Sequence, residues 1–581
     1  MGRNKKALLG NVIAAGALAA GGAVAAGKLL DHMRKNEEKK INAIEDAVVS
    51  MRDYGDKKVY LAGGGLASMA CAAYLIRDCG FPGENITIFE SKGIIGGSND
   101  GIGTPERGFL CRGGRMLNGE TYENFWDLMG SVPSLSWKGH SVTEEILNFD
   151  RLHPTHAQAR LVDGCGNIVD VRSMGFDNSD RLKLLKLFIA DERELDDRTI
   201  EDWFGEKSGF FNTSFWHMWQ TTFAFQEWSS LFEFRRYLRR MIFEFSRIET
   251  LEGVTRTPLN QYDSVIRPLE EYLKGKGVKI ERGATVTDVD FAEGPGIVAE
   301  AISLETEDGE KKISLNHGDI CIVTNGCMTD SSTTGSLDSP APYDTKPSVS
   351  AEFWRRIADK KPGKLGNPEP FFDREEETSW ESFTVTLKGD DLLKEIEHFS
   401  GNIPGSGALL TFRDSGWKLS SVVAAQPHFV NQPSDVTVFW GYGLYPSRNG
   451  DYVKKPMRDC TGREILREYL CQLHLSEERI EELMETVINV IPCYMPYIDA
   501  QFEPRRFEDR PEPVPEGSEN FAMIGQFVEI PEDMVFTEEY SVRSARIAAY
   551  KLMNIKRPIA PVTPYFRDPV TLIRAAIKAF K

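Results

Sequence analysis

Residues 59–90 constrain the fold more than any other part of the chain. The stretch "VYLAGGGLASMACAAYLIRD" (59–78) opens with a short apolar run, Val59 to Ala62, suited to a buried strand, and passes at once into Gly63-Gly64-Gly65. Small residues follow (Ala67, Ser68, Ala70, Cys71, Ala72, Ala73), spaced for close packing of a helix, with Gly80 as its stop. Gly63 and Gly65 fall on the first two positions of G-x-G-x-x-G and Ser68 on the third. The first glycine permits the tight turn, and the second lets backbone approach a pyrophosphate. The third position needs only a small side chain. Leu66, Ala67 and Ser68 then begin a helix whose free N–H groups and positive end face the phosphates.

A second strand, "ENITIFE" (84–90), ends in Glu90, where a carboxylate accepts hydrogen bonds from a ribose. Ser91 follows it, and "GIIGGS" (93–98) supplies a second glycine cluster containing Gly97 and Ser98. This continuation is more typical of flavin-adenine enzymes than of simple nicotinamide dehydrogenases. The competing reading is a glycine-rich turn in an ordinary α/β protein.

Later segments fit the flavin reading by their order. "VKIERGATVTDVDF" (278–291) gives two β-type runs, with backbone near Val286 placed to meet an adenine. "HGDICIVTNG" (317–326) is a strand ending in Thr324 and Asn325, where the chain leaves the sheet beside the cofactor. "GSENFAMIGQFVEI" (517–530) adds a last strand with Gly525 and Phe527, and Ser541 lies in the first turns of a closing helix aimed at the flavin or its phosphates. The expected fold is α/β: a discontinuous Rossmann-like FAD-binding domain (55–130, 255–335, 515–550), an inserted mixed α+β substrate domain (131–254 with 336–514), and a helical C-terminal region (551–581). Residues 215–245 are rich in aromatics at helical spacing, which suits a core and is wide enough to line an apolar tunnel.

With 581 residues the chain can bury more than one core, and a net charge of −18 argues against a nucleic-acid backbone as partner. Nine scattered cysteines with no C-x-x-C pair fit reduced thiols in a cytoplasmic compartment, and leave no zinc or other metal site to expect. Residues 1–54 form an apolar tail and a connecting helix. Residues 7–27 carry no charge and follow Arg3, Lys5 and Lys6, so a signal peptide, a membrane anchor and a targeting tail compete. A weak membrane-associating segment is favoured, because Ala and Gly dominate it. At the other end, residues 568–580 place Leu572, Ile573, Ala576, Ile577 and Phe580 on one helical face, suited either to an anionic lipid surface or to docking on the chain itself.

The chain resembles the oleate hydratases, once called myosin-cross-reactive antigens, from about residue 56 to 550. The resemblance rests on "GGGLASMACAAYLIRD", "CRGGRMLNGETYENFWDLMGSVPSL", "FWHMWQTTFAFQEW", "NQYDSV", "VTNGCMTDSSTTGS", "QPHFVNQPSDV", "KKPMRDCTGREIL", "IPCYMPYIDAQFEPR" and "IGQFVEIPEDMVFTEEYSVRSA". It implies bound FAD and addition of water across the cis double bond of a long-chain unsaturated fatty acid, with no net electron transfer. It also admits a homodimer.

By that resemblance Tyr237 in "EFRRYLRR" protonates the alkene, Arg115 closes the R-G-G-R motif beside the cofactor, and the residue after it activates water. The well-studied branch has Glu there, whereas this chain has Met116, and a thioether accepts no proton. Glu120 is the nearest carboxylate in sequence, as a substitute base or as a helix cap or solvated residue. From the residues alone, Tyr237 reads as an amphipathic core tyrosine. The Thr and Asn that hold the substrate carboxylate in that branch are Val422 and Ala424 here. The rival functions are a flavin-dependent oxidoreductase of the desaturase or amine-oxidase kind, and a non-catalytic FAD- or lipid-binding protein.

Overall fold

The computed structural model describes residues 34, 36–113, 116–343, 348–407 and 409–581. The expected N-terminal apolar segment and Arg115 lie outside the described residues. Residues 36–50 of the connecting segment are helical.

Five parallel strands form the inner sheet: β1 (Val59–Ala62), β2 (Ile86–Glu90), β3 (Lys279–Arg282), β4 (Ile320–Thr324) and β5 (Phe521–Ile524), in the order β5-β4-β1-β2-β3. Their β1, β2, β4 and β5 members are buried apolar runs, as a parallel sheet covered on both faces requires. Strand order reverses between β1 and β4, which opens a crevice at the carboxyl ends of these two strands.

Helix α1 (Leu66–Arg77) follows β1. Its small side chains allow close approach of the long C-terminal helix, Glu538–Leu552, whose Ala545, Ala548 and Ala549 lie buried in the same core cluster. The sheet is thus assembled from three separated stretches of chain, a discontinuous dinucleotide-binding unit with other elements inserted. An antiparallel group, Thr285–Phe291, Ala299–Thr306 and Gly309–Ser314, flanks it.

The inserted part is built on a seven-stranded, mostly antiparallel sheet. Its long central members are Trp380–Lys388, Val436–Gly443 and Val487–Met495. Helices α2 (Ser214–Phe223), α3 (Leu231–Arg240) and α4 (Ile242–Phe245) contribute to the core that it shares with the inner sheet. Phe215, Trp216, Trp219, Phe225 and Phe234 are fully buried and pack against one another, tilted or edge to face. The aromatic stretch is therefore mainly core, as expected, and Phe223 and Tyr237 are the rings that it contributes to the wall of the large cavity. No helix among the described residues is long and apolar enough to cross a membrane. The last helix carries Ile573, Ile577 and Phe580 exposed and buries Ala575 and Lys578, so it docks through a face other than its apolar one.

Candidate active site

One large cavity, about 1940 Å³ of space with its open mouth included, runs from the crevice into the inserted part. At the crevice end it is lined by Gly63, Gly65, Leu66, Ala67, Glu90, Ser91, Gly97, Ser98, Thr324, Gly525 and Ser541. At the other end lie Met116, Asn118, Phe223, Tyr237, Met241, Glu244, Trp380, Val422, Trp440 and Tyr442.

The crevice end is backbone held by few side chains. Gly63 has φ +96°, and a Cβ there would sit 3.1 Å from Thr324 Oγ1. Gly65 has an extended backbone, and a Cβ there would meet nothing nearer than 3.9 Å, so its bareness leaves room rather than relieving strain. The helix it precedes has no side-chain cap, which leaves its first N–H groups free for an anion. Glu90 is buried; its Oε2 accepts from the Gly64 N–H at 2.9 Å and its Oε1 from the Lys92 N–H at 2.8 Å. The Glu538–Leu552 helix brings Thr537, Glu538 and Ser541 of its N-terminal end to the same cavity. A dinucleotide fits this donor set: bare glycines and a helix end for the phosphates, and an acid at the ribose position.

Four of the expected cofactor residues stand outside the lining. Ser68 is buried with its hydroxyl 3.2 Å from that of Thr324. Asn325 donates to the Phe527 carbonyl at 2.9 Å, and Phe527 packs among Trp354, Phe371 and Phe372. These three support the wall rather than form it. Val286 is the second residue of the strand Thr285–Phe291, which follows Ala284, whose N–H donates to the Glu90 carbonyl at 3.0 Å.

Tyr237 is buried between Phe223, Phe225 and Phe502, and its hydroxyl donates to the Val535 carbonyl at 2.6 Å. Burial above all, with nearby Tyr122 and Glu233, raises its pKa well above the usual phenol value, so the phenol stays protonated. Glu120 does not line the cavity. Its half-exposed carboxylate is paired with Arg247 at 2.9 Å, which corrects its placement as the carboxylate beside Met116. The carboxylate on that wall is Glu244, which sequence spacing did not single out. It is 3% exposed; its Oε1 accepts from Asn118 Nδ2 at 3.1 Å and from Arg247 Nη2 at 2.6 Å.

A smaller cavity shares Ser98, Asn99, Gly113, Val422 and Trp440 with the large one and adds Ala424, Arg256, Gln261 and His428. Arg256 is 8% exposed, and its Nε and Nη2 have no hydrogen-bond partner among the described residues. Both amide atoms of the buried Gln261 are likewise unpartnered. Burial brings Arg256 down to about 10, and burial with Arg256 nearby brings His428 down to about 4, leaving a cation beside a neutral imidazole. The acids at this end are engaged: Asp100 with Arg112, and Asp150 with the Arg256 backbone N–H. A buried arginine in a sequence gives no signal of its own, and neither Arg256 nor Gln261 could be singled out beforehand.

The fold and cavity define an α/β protein with a dinucleotide-binding fold, whose crevice opens into a largely apolar chamber. The model of the MCRA family matches residues 56–550, and the chain belongs to that family. It is 38% identical over 567 residues to linoleate hydratase of Lactiplantibacillus plantarum, covering 90% of this chain and 98% of that protein. It is 37% identical over 534 residues to oleate hydratase of Streptococcus pyogenes serotype M49 (strain NZ131), covering 90% and 89%. Among solved structures, cyclohexylamine oxidase of Brevibacterium oxydans IH-35A matches with TM-score 0.51 at 13% identity, over 86% of this chain and 99% of that one. At that identity the likeness concerns the fold alone.

Proposed function

We propose that this chain is an FAD-dependent hydro-lyase that adds water across a cis double bond of a long-chain unsaturated fatty acid, giving a hydroxy fatty acid. The observation that carries the reading is the single cavity joining the dinucleotide turn to a chamber containing a buried, protonated tyrosine. The two hydratases to which the chain is similar along nearly their whole length support it.

FAD would be held by Gly63, Gly65, Glu90, Ser91, Gly97, Ser98 and Thr324, and supplies a planar polar surface to the chamber without net electron transfer. The chain's own residues do the rest. Phe223, Met241, Leu251 and Val254 line an apolar chamber for the acyl chain and exclude bulk water. Tyr237 offers its proton to one alkene carbon, and the cation-like centre that forms on the other is met by a positioned water. Arg256 and Gln261 are suited to receive the carboxylate that Val422 and Ala424 cannot bind through side-chain donors, since a buried guanidinium with free N–H groups favours an anion. The exposed apolar face of the last helix, with Arg574 and Lys581 at its margins, is suited to the lipid surface where such a substrate resides.

Incubation with several unsaturated fatty acids, with and without reduced FAD, tests this. A product heavier by one water is expected. Loss of two hydrogens would favour the flavin oxidoreductase instead, and no change in mass would favour a binding protein.

A further inference from the structure

The hydration chemistry proposed above, on which this inference rests, needs an acceptor for a water proton, and Met116 cannot be one. The cavity wall supplies an acceptor from elsewhere in the chain. Tyr237 stands in α3, Glu244 in α4 and Met241 at the turn between them, and all three line the large cavity. A phenol within reach of one alkene carbon and a carboxylate one hydrogen bond behind a water that faces the other are the two groups that hydration needs in one chamber.

The surroundings of Glu244 keep it both fixed and basic. Arg247 reaches its two oxygens at 2.6 and 3.0 Å, and Asn118, two residues after Met116, adds a third bond. The same guanidinium also binds Glu120, so one positive charge is shared between two carboxylates and the cluster keeps a net negative charge. Burial, the dominant influence, raises the Glu244 pKa despite the Arg247 beside it. Gly253 makes the space: a Cβ there would overlap the Glu244 carboxylate and the Arg247 guanidinium.

We propose that Glu244 is the group that orients the attacking water and takes its proton, in the place that Met116 cannot fill. The step balances. Tyr237 gives its hydroxyl proton to one alkene carbon, the water oxygen bonds to the other, and the spare water proton passes to Glu244. Return of a proton from Glu244 to the tyrosinate, directly or through water, restores both groups. The net change is addition of one water.

The test is steady-state hydration of a cis-unsaturated fatty acid by the FAD-loaded full chain, as a function of pH. Glu244→Gln is expected to lower kcat by about a hundredfold or more, with KM within about threefold and flavin content unchanged. The wild-type profile should lose activity as pH falls through the Glu244 pKa, and the glutamine variant should lack that limb. Adding Met116→Glu to Glu244→Gln should recover about tenfold or more, which restoration of a purely structural ion pair would not do. If the glutamine variant does not fold, Glu244→Asp with and without Met116→Glu carries the same test: rescue supports the role, and no rescue overturns it. Turnover of Glu244→Gln within about threefold of wild type, or an unchanged acid limb, overturns the role of Glu244 alone. A wild-type protein that hydrates none of the fatty acids overturns the hydratase reading along with it.

Discussion

The Tyr237 hydroxyl donates to the Val535 carbonyl at 2.6 Å, while the ring is enclosed by Phe223, Phe225 and Phe502. The carbonyl fixes the phenol's position, and the same proton must leave that bond if it is to reach an alkene. Tyr237→Phe keeps the ring and removes the proton. Hydration should fall by on the order of a hundredfold or more, with flavin content retained. The unsatisfied Val535 carbonyl should cost about 1–3 kcal/mol of stability, readable as a lower melting temperature. Near-normal turnover in a folded variant would return Tyr237 to a purely structural role.

Gly63 and Gly65 should separate in experiment. Gly65→Val has space in the folded chain but fills the approach to a pyrophosphate, so the apo protein should melt as wild type does while flavin absorbance is lost on purification. Gly63→Ala forces a positive φ and crowds Thr324, and should destabilise the chain by about 1–3 kcal/mol. A Gly65→Val protein that binds FAD with unchanged affinity would sink the assignment of this turn.

Arg256→Met keeps the bulk of the side chain and removes the cation. For a free fatty acid KM should rise by about tenfold to a hundredfold, with kcat little changed, whereas the methyl ester of the same acid should be almost unaffected. Arg256→Lys should recover part of the loss. Equal effects on acid and ester would point to lost packing and not to a lost anion contact.

Membrane attachment should depend on the two chain ends together, because a single weak anchor gives marginal binding. Sedimentation with anionic liposomes should fall on removing residues 567–581, which carry the exposed Ile573, Ile577 and Phe580, and fall further when residues 1–50 are also removed. If the doubly truncated, folded protein pellets as well as the intact one, neither end is the anchor.

The dinucleotide turn was legible because its chemistry is local. Gly63, Gly65, Ser68 and Glu90 stand at fixed spacings, and the strand, turn and helix around them are short-range elements. The inner sheet followed from the order of apolar runs at 59, 86, 320 and 521. Glu120 is the nearest carboxylate to Met116 in sequence, but its carboxylate turns to Arg247, while Glu244, far along the chain, reaches the cavity. Arg256 and Gln261 were equally hidden, since what marks them is burial without partners, a property that exists only after folding. The aromatic run at 215–245 was legible as apolar, but helical periodicity cannot say which ring meets a core and which meets a void.

The position of β5 has a consequence for how the protein matures. β5 pairs with β4, which pairs with β1, so the crevice begun by Gly63 is completed by Gly525 and the helix beyond it. During synthesis, at about 5–20 residues per second, the glycine turn leaves the ribosome roughly half a minute to a minute and a half before its last wall is made. Throughout that interval the nascent chain has a phosphate-binding turn without a closed pocket. On the function proposed above, flavin loading waits for that last wall, and a product truncated before Gly525 should hold no flavin.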